Sequence, residues 1–178
     1  MKGKRWLVRI LAAWGALALV GAIALACYWF GWFNGSKVAV VDQASTKDVS
    51  FIVGLSGLGP RRIERVLHSY TSAHSGPGGA DYLNAYGIVV SPLDEADLVE
   101  AKGWHRGDAL PEILDRALIF TGSWQYEVPW FPSEELLRSD EFYAHILGIN
   151  TRDDEVQSLQ ILFVRPGTGA IYYFDTNT

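Results

Sequence analysis

The strongest pattern along the chain is a run of apolar positions without a single charge, residues 10–33. It holds Leu11, Leu17, Leu19, Val20, Ile23 and Leu25 and closes on Tyr28, Trp29, Phe30, Trp32 and Phe33. As a helix, twenty-four residues reach about 36 Å. That spans a hydrocarbon core of about 30 Å with some tilt. Beyond it the periods shorten to those of a globular domain. Residues 38–41 read as a strand, and residues 49–55 fit either a strand or a helix. Pro60 is expected to open a helix with Ile63, Val66, Leu67 and Tyr70 on one face and His68 near its end. Residues 86–90 read as a strand and residues 94–101 as a short acidic helix. Asp108 is the expected N-cap of a helix running to about Phe120 and stopped by Gly122. Ser133 and Ser139 each suit the cap of a short helix. Residues 158–165 and 170–175 form a hairpin about Pro166-Gly167-Thr168-Gly169, its first strand apolar on both faces. The fold class expected is α+β, a mainly antiparallel sheet with covering helices and a C-terminal β-hairpin.

Charge gives the apolar run a direction. Lys2, Lys4, Arg5 and Arg9 precede it, and the first cation after it is Lys37. Cations stay on the cytoplasmic side of a span. Residues 1–9 are therefore expected as a cytoplasmic stub, 10–33 as a transmembrane helix, and 34–178 as an exported domain at a bacterial inner membrane, facing the periplasm or the outside. Two alternatives stay open: a cleaved signal peptide, and a lipoprotein signal in which Ala24-Leu25-Ala26-Cys27 resembles a lipobox. Asn34-Gly35-Ser36 matches a glycosylation acceptor and reads as a turn outside the bilayer. Cys27 is the only cysteine. The exported part can therefore form neither a disulfide nor a thiolate metal site.

Charge also divides the exported part. Residues 34–80 hold five Lys or Arg against three Asp or Glu, whereas residues 81–178 hold six against seventeen. A turn-rich stretch, Ser72-Ala73-His74-Ser75-Gly76-Pro77-Gly78-Gly79, lies near the join and marks a possible sub-boundary at 72–80 within one domain.

Candidate chemistry is sparse. Within residues 48–67, Gly57-Leu58-Gly59-Pro60-Arg61-Arg62-Ile63-Glu64-Arg65-Val66 resembles the hairpin of the helix-hairpin-helix DNA-binding family. The resemblance implies that the Gly57 and Gly59 backbone holds a nucleic-acid phosphate, with Arg61, Arg62 and Arg65 adding attraction. The histidines, His68, His74, His105 and His145, lack the spacing of a helical zinc pair. Asp94, Glu95 and Asp97, like Asp153, Asp154 and Glu155, lack the glycine and terminal glutamate of a calcium loop. No metal or other cofactor is expected. Hydrolase signatures are missing; His145 with Asp140 or Glu141 is the one acid–base pairing to consider. Arg106-Gly107-Asp108 spells an adhesion tripeptide, but Asp108 is better used as a cap. Trp124, Tyr126, Trp130 and Phe131, broken by Pro129 and Pro132, suit either a partner-binding loop or the closure of a core.

The function expected is that of a single-pass membrane-anchored, non-catalytic interaction protein, an accessory subunit or inhibitor-like factor of an envelope complex. Its acidic part favours a basic protein partner. The alternatives are a membrane-anchored DNA receptor using the glycine turn, and an envelope hydrolase with an unassigned site.

Overall fold

The structure, a computed structural model, describes residues 14–15, 17–25, 38–40, 44–59, 61–76, 79–91 and 93–177. Residues 14–15 and 17–25 are helical. Their apolar side chains, among them Trp14, Leu17, Leu19, Val20, Ile23 and Leu25, are exposed. No helix among the described residues is long and apolar enough to cross a membrane. The stub at 1–9, the two ends of the apolar run with Cys27 and the aromatic group at 28–33, and the turn at 34–36 lie outside the described residues.

The rest is α+β. In chain order it runs β1 (Val38–Val40), α1 (Ser50–Leu55), β2 (Ile63–Gly76), β3 (Gly79–Val90), α2 (Glu95–Glu100), β4 (His105–Arg106), α3 (Glu112–Ser123), α4 (Glu134–Leu137), β5 (Tyr143–Arg152), β6 (Glu155–Arg165) and β7 (Ala170–Asn177). One sheet joins the strands in the order β1-β2-β3-β7-β6-β5-β4, and every pairing is antiparallel.

Side chains alternate across a strand, so β6 and β7 serve two cores. Leu159, Ile161, Phe163 and Phe174 face one side, with Leu114, Ala117 and Leu118 of α3, Leu137 of α4, Val128 and Phe131. Leu162, Val164, Ile171 and Tyr173 face the other, with Val49, Ile52 and Val53 at α1, Leu58, Leu93, and Leu98 of α2. Two buried faces explain the nearly continuous apolar run of β6. α2 starts with a reciprocal cap between Asp94 and Asp97. Asp153 and Asp154 form the β5–β6 turn at φ 51° and 67°, a conformation that Asp tolerates better than most residues. Both acidic clusters thus act as cap and turn.

Three expectations need correction. Residues 61–70 do not form a helix. Ile63–Gly76 is the longest strand, in register with β3 from Ile63↔Val90 to Gly76↔Gly79. Two irregularities, between Ile63 and Arg65 and between Val66 and His68, break the strict alternation and leave a spacing that imitates a helix face. The same register pairs the described residues of the turn-rich stretch, 72–76 with 79–83. Asp108 caps nothing: it lies in a 3-10 turn, Gly107–Ala109, and α3 begins after Pro111. Ser133 does cap α4, accepting from Leu136 N, but no helix follows Ser139. The chain turns there into β5, which a further irregularity between Ile146 and Gly148 hides from the period-2 pattern. The ambiguous residues 49–55 resolve as helix α1.

Of the described glycines, Gly107 leaves the least room for a side chain. Its N–H bonds Phe142 O at 2.8 Å. A Cβ there would lie 2.1 Å from Leu137 O and 2.5 Å from Ser139 O. Those atoms are backbone and cannot swing away, and overpacking of this kind costs about 1–3 kcal/mol or more. Gly107→Ala is expected to lower the urea unfolding midpoint by at least that free energy, measured by circular dichroism.

Candidate functional site

A groove of about 650 Å³ runs along α1 and the start of β2, lined by Thr46, Lys47, Ser50, Val53, Gly54, Gly57, Gly59, Arg61 and Ile63. Local hydrogen bonds set its rim. The Asp48 carboxylate accepts from Ser45 N (2.9 Å) and Ser45 Oγ (2.7 Å), and these bonds hold Asp48 below the usual carboxylate range. Ser50 Oγ donates to Lys47 O at 2.8 Å, so the backbone that carries Lys47 is fixed from both sides. At the other end α1 stops at a glycine turn, with Gly57 at φ +67° and Gly59 at φ +74°. Both angles lie in the left-handed region that favours glycine.

Arg61 forms a wall of this groove. Its guanidinium bridges Asp97 at 2.7 Å, and its Nε donates to Leu58 O at 3.3 Å. Asp97 is lowered first by the Asp94 backbone and then by Arg61. The glycine turn and Arg61 are thus together, as the sequence suggested, but in another setting. The turn ends a helix and leads into a strand, so no positive helix terminus backs it, and the helix-hairpin-helix geometry is not formed. Arg62, just before β2, and Arg65, on it, are exposed and outside the groove lining. Lys47, Thr46, Ser50 and Gly54 were not among the sequence candidates. The signals available for them were the Ser45-x-x-Asp48 capping pattern around Thr46 and Lys47 and a glycine inside a helix.

The aromatic candidates divide. Phe131 is buried, with edge contacts to Phe163, Tyr172 and Phe174 at 5.6–6.0 Å between centroids. Trp130 stacks on His68 at 4.7 Å, and Trp124 packs half-buried on the same core. Only Tyr126 of the four is largely exposed, at 72%. Three of the rings therefore help close the sheet under α3. The adhesion tripeptide is folded on itself: Arg106 forks Asp108 at 2.6 and 2.9 Å, and Gly107 is buried.

A second depression, about 320 Å³, gathers Glu95, Asp140, Glu141, Tyr143, Arg165 and Thr168. Arg165 pairs with Glu141, and Tyr143 donates to Glu95. His145 points elsewhere, stacked on Trp104 at 5.1 Å with Nδ1 2.8 Å from Gly103 O. The acid–base pairing of His145 with Asp140 or Glu141 is therefore not assembled. No group of three or more potential metal ligands occurs among the described residues. Compared with protein families, curated proteins and solved structures, the chain finds no match.

Tyr143 supplies a pH test of this second depression. Burial first, and then the Glu95 bond, push its phenol up to about 12 from 10.0. The fold favours the neutral phenol, so its contribution is complete below pH 10 and is lost as pH rises toward 12. Tyrosinate absorbance should show a group titrating near pH 12 that Tyr143→Phe removes. The stability gap between the wild type and Tyr143→Phe should shrink over the same window.

Proposed function

We propose that this chain is a single-pass membrane protein that holds a non-catalytic α+β binding domain outside the bacterial inner membrane. The observation that carries the reading is the helical stretch at residues 17–25. Leu17, Leu19, Val20, Ile23 and Leu25 are each more than half exposed, within a sequence run of twenty-four uncharged residues. A helix apolar on every side needs a nonaqueous environment, and the run has the length of a bilayer core. The cations at Lys2, Lys4, Arg5 and Arg9 support a cytoplasmic N-terminus.

An interaction role fits the domain better than catalysis. Among the described residues, the groove along α1 is lined by neither a histidine nor a carboxylate. In the second depression the Glu95 and Glu141 carboxylates are taken up by Tyr143 and Arg165. The excess of acidic residues in 81–178 favours a protein partner with a basic face.

Reporter fusions to the C-terminus test the topology. Alkaline phosphatase should be active there and green fluorescent protein dark, with the protein resisting alkaline carbonate extraction. A bright fluorescent fusion or full release by carbonate would overturn the reading. Cross-linking of the full-length protein in membranes should recover a stoichiometric basic partner, whose association weakens as salt is raised.

A further inference from the structure

Gly54 has no role in the fold. It lies inside α1, its φ is outside the left-handed region, and a Cβ there would meet nothing within 4 Å. A glycine inside a helix costs about 1 kcal/mol relative to alanine, and no neighbour requires it. Gly54 lines the groove, where glycine permits something outside the protein to approach the backbone closely.

We propose that the groove between α1 and the start of β2 binds the phosphate group of a small soluble molecule, seated against Gly54 and the glycine turn between Lys47 and Arg61. Lys47 is ion-paired to no described residue, and its backbone is anchored by Ser45, Asp48 and Ser50. An ammonium supplies a point charge to a phosphate. Arg61, steered by Asp97, sets a second cation at a fixed place. Thr46 adds a hydroxyl, and Val53 and Ile63 give an apolar floor for the remainder of the ligand. A volume of about 650 Å³ suits a metabolite-sized molecule, since such pockets usually run to about 300–1,000 Å³. β1 joins β2 at Thr71–Ala73, about 26 Å along the strand from Ile63 at roughly 3.3 Å per residue. The Ile63 end of the groove is thus set away from the point where β1 meets the sheet, which favours a soluble ligand over a lipid headgroup.

The test is a titration of the full-length protein with inorganic phosphate in a neutral detergent at constant ionic strength, followed by amide NMR. Saturable shifts are expected at Lys47, Gly54, Gly57 and Gly59. Lys47→Glu should weaken binding at least tenfold without moving Tm. Gly54→Ala should raise Tm while weakening binding at least fivefold, a combination that a purely structural glycine cannot give. Absence of saturable shifts, or a Gly54→Ala protein with lower Tm and unchanged binding, overturns the proposal. In nanodiscs without added phosphate, phosphatidylcholine should leave these amides unshifted. Equal shifts on adding phosphatidic acid would assign the groove to a headgroup and refute the soluble ligand.

Discussion

The pairing of β6 with β7 across the Pro166–Thr168 turn sets the terms for the rest of the molecule. Both strands bury side chains on both faces. A sheet with two apolar faces must be covered twice, or it exposes the apolar surface that drives folding. α3, α4 and Phe131 cover one side, and α1, α2 and Leu58 the other. The β2–β3 hairpin then extends the ladder through β3 and β7. The C-terminal hairpin therefore cannot reach its burial until segments from the start of the domain have folded over it.

What could be read in advance follows from how local each signal is. The β6–β7 hairpin was legible because its turn residues and its doubly apolar strand lie within some twenty residues. α2 and the Ser133 cap were legible for the same reason. β2 was misread because its apolar spacing, set by two bulges, satisfies a helix as well as a strand; the pairing with β3 decides between them, and pairing is not local. β5 was missed for the same physical reason. At the groove, the glycine turn and Arg61 could be picked out by residue type. Lys47 could not: the Ser45-x-x-Asp48 capping pattern marks the turn that carries it, but a lysine inside that turn looks like any surface lysine until α1 is placed beside β2. The groove itself arises from α1 lying beside the start of β2, which only the tertiary fold establishes.

Arg61 links these levels. It left the sequence as a candidate phosphate contact on a helix and enters the structure at the mouth of a strand, bridged to Asp97 of α2. Asp97 also receives the Asp94 N–H at the start of that helix. One carboxylate thus caps α2 and orients the arginine on the groove wall, so the position of α2 on the sheet and the shape of the groove are coupled. Trp104 strengthens the tie, donating from Nε1 to Ser56 O at the end of α1.

The bulges that concealed β2 and β5 from a periodic reading also change how the sheet meets its neighbours. Each twists a strand and interrupts the even row of N–H and C=O groups that another strand would need for docking. High local density brings identical sheets alongside one another. Under that crowding, a straight edge would invite chains to zip together into fibrils. The kinks between Ile63 and Arg65, Val66 and His68, and Ile146 and Gly148 give this sheet margins that offer another strand no even row to pair with.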